Sequence, residues 1–107
     1  VSMGTNELIL PYKVSLYNNY PNPFNHETII SYDINISTNI ILEVFDLRGR
    51  NYRKIIKNNL FPGTYSMKLN SNFWGRQMIS SGIYFYRLTY EENYKSVSIL
   101  KKMVLMK

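Results

Sequence analysis

Cysteine is absent from this chain, and histidine occurs once, at His26. Without cysteine there is no disulfide framework, no thiolate nucleophile and no thiolate metal site. A single histidine cannot form a histidine pair or a histidine-based metal site within one chain. His26 follows an asparagine in a turn-rich stretch, so we interpret it as an exposed or turn-capping residue. The sequence therefore predicts no metal and no cofactor.

Long apolar runs and catalytic motifs are also missing. No apolar run approaches the roughly 20 residues that a helix needs to cross a bilayer, so we predict no membrane span. There is no glycine-rich phosphate loop, nucleophile elbow or serine–lysine arrangement. Asp33 and Glu43 would meet the geometry of a paired-carboxylate glycosidase if their strands were neighbours. Both fall on predicted outward faces with no pocket implied, so we predict that the chain is not an enzyme.

The charge balance is basic, with a formal net charge of +6 and a pI near 9.6. Five cations lie in one stretch without an acid between them: Arg48, Arg50, Arg53, Lys54 and Lys57. The stretch has two interpretations, a solvated strand face or a phosphate-binding patch. No nucleic-acid-binding motif is present, so we predict no nucleic-acid partner.

What the sequence does contain is the residue set of β-structure. Aromatic residues make up 15% of the chain, with ten tyrosines among them, and no helical periodicity is visible. Thr28, Ile30, Tyr32 and Ile34 alternate on one face of the clearest strand, and the next strand has the same pattern. About seven short strands, separated by turns every 8–12 residues or so, predict one all-β domain, an Ig-like antiparallel β-sandwich.

The last 26 or so residues predict a β-hairpin that closes the sheet. One strand begins at Gly82, a polar turn is expected over residues 91–93, and the second strand extends to Lys107. In the second strand we expect the lysines outside and Met103 and Leu105 inside.

Two irregular segments also have clear local signals. Residues 20–25 contain two prolines between asparagines, and this composition predicts an ordered extended crossing. Asp46 and Gly49 predict a turn in which the carboxylate accepts backbone N–H bonds and the glycine supplies a positive φ.

Five blocks, at residues 20–30, 44–50, 62–65, 80–88 and 102–107, occur in an order that resembles the type IX secretion C-terminal sorting domain, type A. The resemblance covers residues 20–107. The residues that carry its structural motif are Tyr20, Pro21, Asn22, Pro23, Phe24, Asn25, Asp46, Gly49, Arg50, Gly82, Tyr84 and Tyr86.

Two positions depart from the family pattern. His26 stands where the family usually has a third proline. Residues 70–76 replace a tryptophan-led turn, and this change puts in doubt any calcium role for that loop. The tryptophan of this segment, Trp74, therefore stands at a different position from the one in the family pattern. It is either a core residue or an exposed contact residue.

The resemblance implies an Ig-like, non-catalytic sorting signal. Its partners would be the outer-membrane secretion machinery and a covalently linked upstream cargo domain. The protein would pass through the periplasm to the cell surface or the extracellular space. By analogy, the recognition residues would be Lys101, Lys102, Met103, Leu105 and Lys107. Met103 and Leu105 are equally explained as the core of the closing strand.

Residues 1–19 precede the family blocks and leave an alternative function open. We divide the chain into residues 1–19, a linker or an extra N-terminal strand, and residues 20–107, the sorting-type domain. The chain starts with valine, as a processed subunit or a fragment would. If Leu8, Ile9 and Leu10 are donated as a strand to identical subunits, the chain is a self-associating structural or adhesion subunit. Carbohydrate binding through Trp74 and exposed tyrosines is a further alternative.

Overall fold

The computed structural model describes residues 13–70 and 79–107, which form strands and turns without a helix. The seven strands are β1 (Val14–Leu16), β2 (Thr28–Ile34), β3 (Thr38–Asp46), β4 (Asn51–Leu60), β5 (Gly63–Leu69), β6 (Gly82–Glu92) and β7 (Lys95–Leu105).

The strands form two sheets, and every pair of neighbours is antiparallel. The three-stranded sheet has the order β1-β2-β5, and the four-stranded sheet has the order β4-β3-β6-β7. The predicted β-sandwich of about seven strands is confirmed. β4 lies at one edge of the four-stranded sheet and β7 at the other.

Alternating side chains from both sheets fill the core, because successive residues of a strand point to opposite faces. The buried residues of β2 and β3 are the ones that the alternation predicts: Thr28, Ile30, Tyr32, Ile34, Ile40, Leu42 and Val44. From the closing hairpin the buried residues are Tyr84, Tyr86, Leu88, Tyr90, Met103 and Leu105. The Tyr86 side chain crosses the core, and its hydroxyl donates to the carbonyl of Tyr17 at 2.8 Å. Burial raises the pKa of Tyr86 to about 12.

The turn of the closing hairpin lies slightly later than residues 91–93. β6 continues to Glu92, which pairs with Lys95, and Asn93 and Tyr94 alone connect the strands. Both have positive φ, 54° and 64°, as a type I′ turn requires. Such a two-residue turn matches the right-handed twist of the strands, so pairing extends up to it.

β1 falls inside the segment 1–19. It pairs with β2 from Val14 opposite Ile34 to Leu16 opposite Tyr32, and both Val14 and Leu16 are buried. Residues 14–16 are therefore a strand of this chain's own sheet. The apolar run at residues 8–10 lies outside the described residues, so its use as a donated strand stays a prediction.

Candidate functional site

Four of the five sequence blocks meet at one end of the sandwich. There β3 ends, β6 begins and β7 ends, with Asp46 opposite Tyr84, Tyr84 opposite Met103 and Gly82 opposite Leu105. We call this the terminal end. The opposite end, which contains the Asn93–Tyr94 turn, is the tip end. The block at residues 62–65 lies at the tip end.

The last residues of β7 are hydrogen-bonded along both edges. On one edge β7 pairs with β6, and on the other it meets residues 22–24. The N–H of Phe24 donates to the carbonyl of Val104 at 2.9 Å, and the N–H of Met106 donates to the carbonyl of Phe24 at 2.8 Å. The N–H of Val104 donates to Oδ1 of Asn22 at 3.0 Å. Since backbone pairing on both edges restricts strand movement, this part of β7 is held rigidly.

The crossing at residues 20–25 is ordered by its own contacts. Phe24 is 2% exposed and packs in the core. The buried Asn19 donates from Nδ2 to Oγ1 of Thr28 at 3.0 Å, and Thr28 donates to the carbonyl of Pro21 at 2.7 Å. The peptide bonds before Pro21 and Pro23 are cis. These contacts order the predicted extended crossing, and the end of β7 lies against it.

The Asp46 turn has the predicted chemistry. Oδ1 of Asp46 accepts from the backbone N–H groups of Arg48 and Arg50, both at 2.9 Å, and Oδ2 accepts from the hydroxyl of Tyr52 at 3.1 Å. Burial acts to raise the pKa of Asp46, but these donors and the Arg50 charge outweigh it, so the pKa is lowered. Gly49 has the expected positive φ, 84°.

The block at the start of β6 completes the terminal end. The Tyr84 hydroxyl donates to the carbonyl of Ser80 at 2.6 Å, and its ring meets the Tyr52 ring edge-on at 5.7 Å. The N–H of Lys107 donates to Oγ of Ser81 at 2.9 Å. The block at residues 80–88 is therefore hydrogen-bonded to the last residue of the chain and packs against Tyr52, which also binds Asp46.

The five predicted recognition residues have different environments. Met103 and Leu105 are buried in the core, and Lys102 and Lys107 are exposed. Lys101 differs from the expectation of an exposed lysine, because it is half-buried. It lies two residues before the buried Met103 in β7, so its side chain points to the same, inward face of the sheet.

The outward face of the sheet at the terminal end is more apolar than a solvated face. It carries five residues from three strands, which we call the terminal face: Phe45, Ile83, Phe85, Lys102 and Val104. The Phe45 and Phe85 rings stack at 5.8 Å, and the Arg87 guanidinium lies 5.0 Å from the Phe45 ring centre. Sequence reasoning did not name this face, although apolar residues at outward positions of β6 and β7 are its signal.

Asp33 and Glu43 do not form the carboxylate pair that neighbouring strands would allow. Asp33 lies on β2 and Glu43 on β3, which belong to different sheets. Asp33 accepts from the hydroxyls of Tyr17 and Thr64, and these bonds lower its pKa. Glu43 accepts from Arg87 at 3.1 Å. Consecutive strands separate because the chain crosses from one sheet to the other between them.

The basic stretch divides between two elements. Arg48 and Arg50 lie in the Asp46 turn, and the exposed Arg53, Lys54 and Lys57 lie on the edge strand β4. His26 is exposed. Trp74 and most of residues 70–76 lie outside the described residues.

Neither a metal cluster nor a membrane helix occurs in the ranges that the structure covers. Within residues 13–70 and 79–107, no three His, Asp or Glu side chains are grouped so that they could hold a metal ion. Over the same ranges, no helix has the length and apolar character needed to cross a membrane.

Comparison with known families gives one match over most of the chain. The model described as "Secretion system C-terminal sorting domain" matches residues 18–105. None of the curated proteins matches the chain.

Solved structures show the same fold at low sequence identity. Dimeric latent PorU from Porphyromonas gingivalis matches 91% of this chain with a TM-score of 0.67 and 20% identity. PorZ, a surface component of the type IX secretion system of the same organism, matches 88% with a TM-score of 0.53 and 17% identity. A β-glucuronidase from Parabacteroides merdae matches 87% with a TM-score of 0.55 and 13% identity. This chain spans only 10%, 11% and 14% of those three chains, respectively.

Proposed function

Because this chain belongs to the family of secretion system C-terminal sorting domains, we propose that the terminal face, with Lys107 beside it, is the surface that the secretion machinery recognises. Domains of this family are sorting signals for type IX secretion, and they mark proteins for export to the cell surface or the extracellular space. Such a signal works together with a secretion machinery and an attached cargo.

The observation that carries the proposal is the pinning of the end of β7 on both edges. A strand with a free edge can be recognised by strand addition, through its backbone groups. Val104 and Met106 already use their outward N–H groups on Asn22 and Phe24. The folded domain therefore presents side chains at this end, on a backbone that contacts from two other blocks, residues 20–30 and 80–88, hold in place.

The chemistry of the terminal face suits a protein partner with an apolar centre and acidic groups around it. Phe45, Ile83 and Phe85 supply apolar and aromatic surface, and aromatic residues are enriched at interface cores. Lys102 and Lys107 supply exposed positive charge beside them. We propose that the partner is a component of the outer-membrane secretion machinery. Met103 and Leu105 act indirectly, because their burial keeps Lys102 and Val104 pointing outward.

A point variant tests this surface better than truncation. Deleting residues 102–107 should leave a fused cargo in the periplasm, but it also removes two core residues. We therefore propose Lys102→Glu in the full chain, fused behind an exported reporter in a bacterium with type IX secretion. An exposed substitution on a sheet changes stability by only about 0.5 kcal/mol or less. The surface-exposed fraction of the reporter, measured with an antibody on intact cells, should fall several-fold.

Lys95→Glu is the matched control, since Lys95 is an exposed lysine on the same strand at the tip end. It introduces the same charge change and should leave surface delivery unchanged. Equal delivery of Lys102→Glu and wild type, or equal losses in both variants, would overturn the assignment of the terminal face. Thermal denaturation of both variants verifies that they fold.

We further propose that the domain has no catalytic activity of its own. The separation of Asp33 and Glu43 onto different sheets, each with hydrogen-bond partners, supports this. Incubation of the purified chain with glycoside substrates should give no product. The alternative of a self-associating subunit depends on residues 8–10. Light scattering of the full chain and of residues 11–107, which retain β1, tests it, since an oligomer only in the full chain would support that alternative.

A further inference from the structure

An open groove of about 530 Å³ lies at the tip end, far from the terminal face. Two exposed aromatic side chains border it, Tyr94, which is fully exposed, and Phe61, which is 73% exposed. Between them the lining is polar, and includes Asn39, Asn59, Asn93 and Glu91. Single exposed apolar residues need no explanation, but two exposed aromatic residues that border the same groove provide adjoining apolar surface for a contact.

Backbone conformation sets the same groove apart. Among the described residues, the non-glycine positions with positive φ are Asn59, Asn93 and Tyr94, and all three line this groove. A left-handed conformation is unfavourable for a residue with a β-carbon, and less so for asparagine. Type I′ turns favour glycine at the position that Tyr94 occupies. Strained residues of this kind cluster at functional sites.

Hydrogen bonds hold the walls of the groove in place. The N–H of Asn59 donates to Oδ1 of Asn39 at 2.7 Å, at a bulge where β4 has one residue more than β3. The Tyr65 hydroxyl donates to the carbonyl of Phe61 at 2.6 Å, and Thr38 donates to the carbonyl of Glu91 at 3.3 Å. The groove is thus formed before a ligand arrives, which lowers the entropy cost of binding.

The lining also indicates the chemical class of the ligand. Within residues 13–70 and 79–107, no lysine or arginine lines the groove, and its one charged lining residue is Glu91. An anionic ligand would meet a carboxylate without a cation. Aromatic faces pack against the C–H faces of sugar rings, while amides and a carboxylate pair with sugar hydroxyls. Aromatic side chains together with a few placed polar groups are a common combination in ligand sites.

We propose that this groove binds a neutral oligosaccharide, with Tyr94 and Phe61 as stacking platforms and Asn59, Asn93 and Glu91 as hydrogen-bonding partners. The proposal goes beyond the sorting function and does not depend on it, because the terminal face lies at the opposite end of β6 and β7. It would give the exported domain a contact with glycan at the cell surface.

Amide NMR spectra of the full chain test the proposal, with maltohexaose, cellohexaose, mannohexaose and chitohexaose as probes. At least one of them should shift the amides of Asn59 and Asn93 saturably, with a Kd of about 1 mM or tighter. Tyr94→Gly and Phe61→Ala should each weaken binding by about five-fold or more, the equivalent of about 1 kcal/mol. Tyr94→Gly suits the turn, so loss of binding in that variant is not loss of folding.

Tyr20→Ala is the matched control, because Tyr20 is 81% exposed at the terminal end. It should leave saccharide binding unchanged. The proposal is wrong if none of the four probes shifts these amides, or if Tyr94→Gly binds as tightly as wild type. It is also wrong if the groove binds peptides but none of the saccharides.

Discussion

The chain turns between neighbouring strands at both the terminal end and the tip end of the sandwich, but the turns differ in backbone conformation and in hydrogen bonding. At the terminal end the positive φ falls on Gly49, and Asp46 satisfies the free backbone donors. At the tip end it falls on Asn59, Asn93 and Tyr94. The terminal end thus combines favourable turn chemistry with dense hydrogen bonding. The tip end keeps a less stable backbone where aromatic side chains are exposed.

The largest expected effect comes from the crossing that pins β7. Phe24→Ala removes a buried aromatic ring and should lower the free energy of unfolding by about 3–5 kcal/mol. Tyr20→Ala, in the same crossing but at an exposed position, should change it by no more than about 0.5 kcal/mol. Urea unfolding monitored by fluorescence measures both. Similar values for the two variants would mean that the crossing does not stabilise the terminal end through its buried ring.

Each end of the sandwich has a tyrosine hydroxyl that donates a hydrogen bond of the same length to a backbone carbonyl, so the two bonds can be compared directly. Tyr84 donates to the carbonyl of Ser80 and Tyr65 to the carbonyl of Phe61, both at 2.6 Å. Tyr84→Phe should cost about 1–2 kcal/mol, because the hydroxyl lies on a buried side chain. Tyr65→Phe should cost less than about 0.5 kcal/mol, since water reaches the exposed Phe61 carbonyl. Urea midpoints at equal m-values test the order, and a reversed order would contradict the contrast.

A matched glycine pair tests the turn geometry. Gly49→Ala places a β-carbon at φ +84° and should destabilise by about 1 kcal/mol, although the site has open space. Gly63→Ala, at the tip end, meets the Tyr65 ring at an ordinary 3.7 Å and should be close to neutral. Thermal denaturation of the two variants gives the difference. A neutral Gly49→Ala would show that the Asp46 turn does not require the left-handed conformation.

The domain should become more stable when the left-handed Tyr94 in the tip-end turn is replaced by glycine. Tyr94→Gly relieves a left-handed residue and should stabilise the domain by about 0.5 kcal/mol, after the larger chain entropy of glycine is subtracted. The same variant should lose saccharide binding. Tyr94→Phe is the control, since it keeps both the ring and the turn and should match wild type in stability. Destabilisation by Tyr94→Gly would contradict the view that Tyr94 is placed there at a cost in stability.

The smallest effect concerns pH. The pKa of Asp46 is lowered in the folded state, so its stabilising contribution is present above the ordinary value of 3.8 and is lost as pH falls through the folded pKa. Wild type should therefore be more stable than Asp46→Asn at neutral pH, and the gap should narrow below pH 3.8. Melting temperatures of both proteins across this range measure it. A gap that does not change with pH would show that the ionised form of Asp46 is not what the turn stabilises.

Features that depend on near neighbours in the chain could be predicted from the sequence. The alternation of Thr28, Ile30, Tyr32 and Ile34 identified the buried face of β2, because side-chain direction repeats every two residues. The chemistry of Asp46 and Gly49 identified a turn, because both act within a few residues of themselves. Applied strictly, the same alternation also places Lys101 on the inward face, beside Met103.

Features that depend on which strands meet could not be predicted in this way. Asp33 and Glu43 are close in sequence but lie on different sheets, since the chain crosses between sheets after β2. The pairing of Phe24 with Leu105 joins residues that are far apart in the sequence. The position of the hairpin turn also depended on pairing, because the register of β6 and β7 extends up to Asn93.

The all-β class, the alternating core and the family of this chain follow from the amino-acid sequence, since each rests on local patterns and on blocks in order. Only the tertiary contacts show that four of those blocks meet at the terminal end and that the last part of β7 is hydrogen-bonded on both edges. They also show that three left-handed residues and two exposed aromatic residues surround one groove. These arrangements come from pairing between distant segments, and an alternating pattern gives the buried face of a strand without identifying its neighbours.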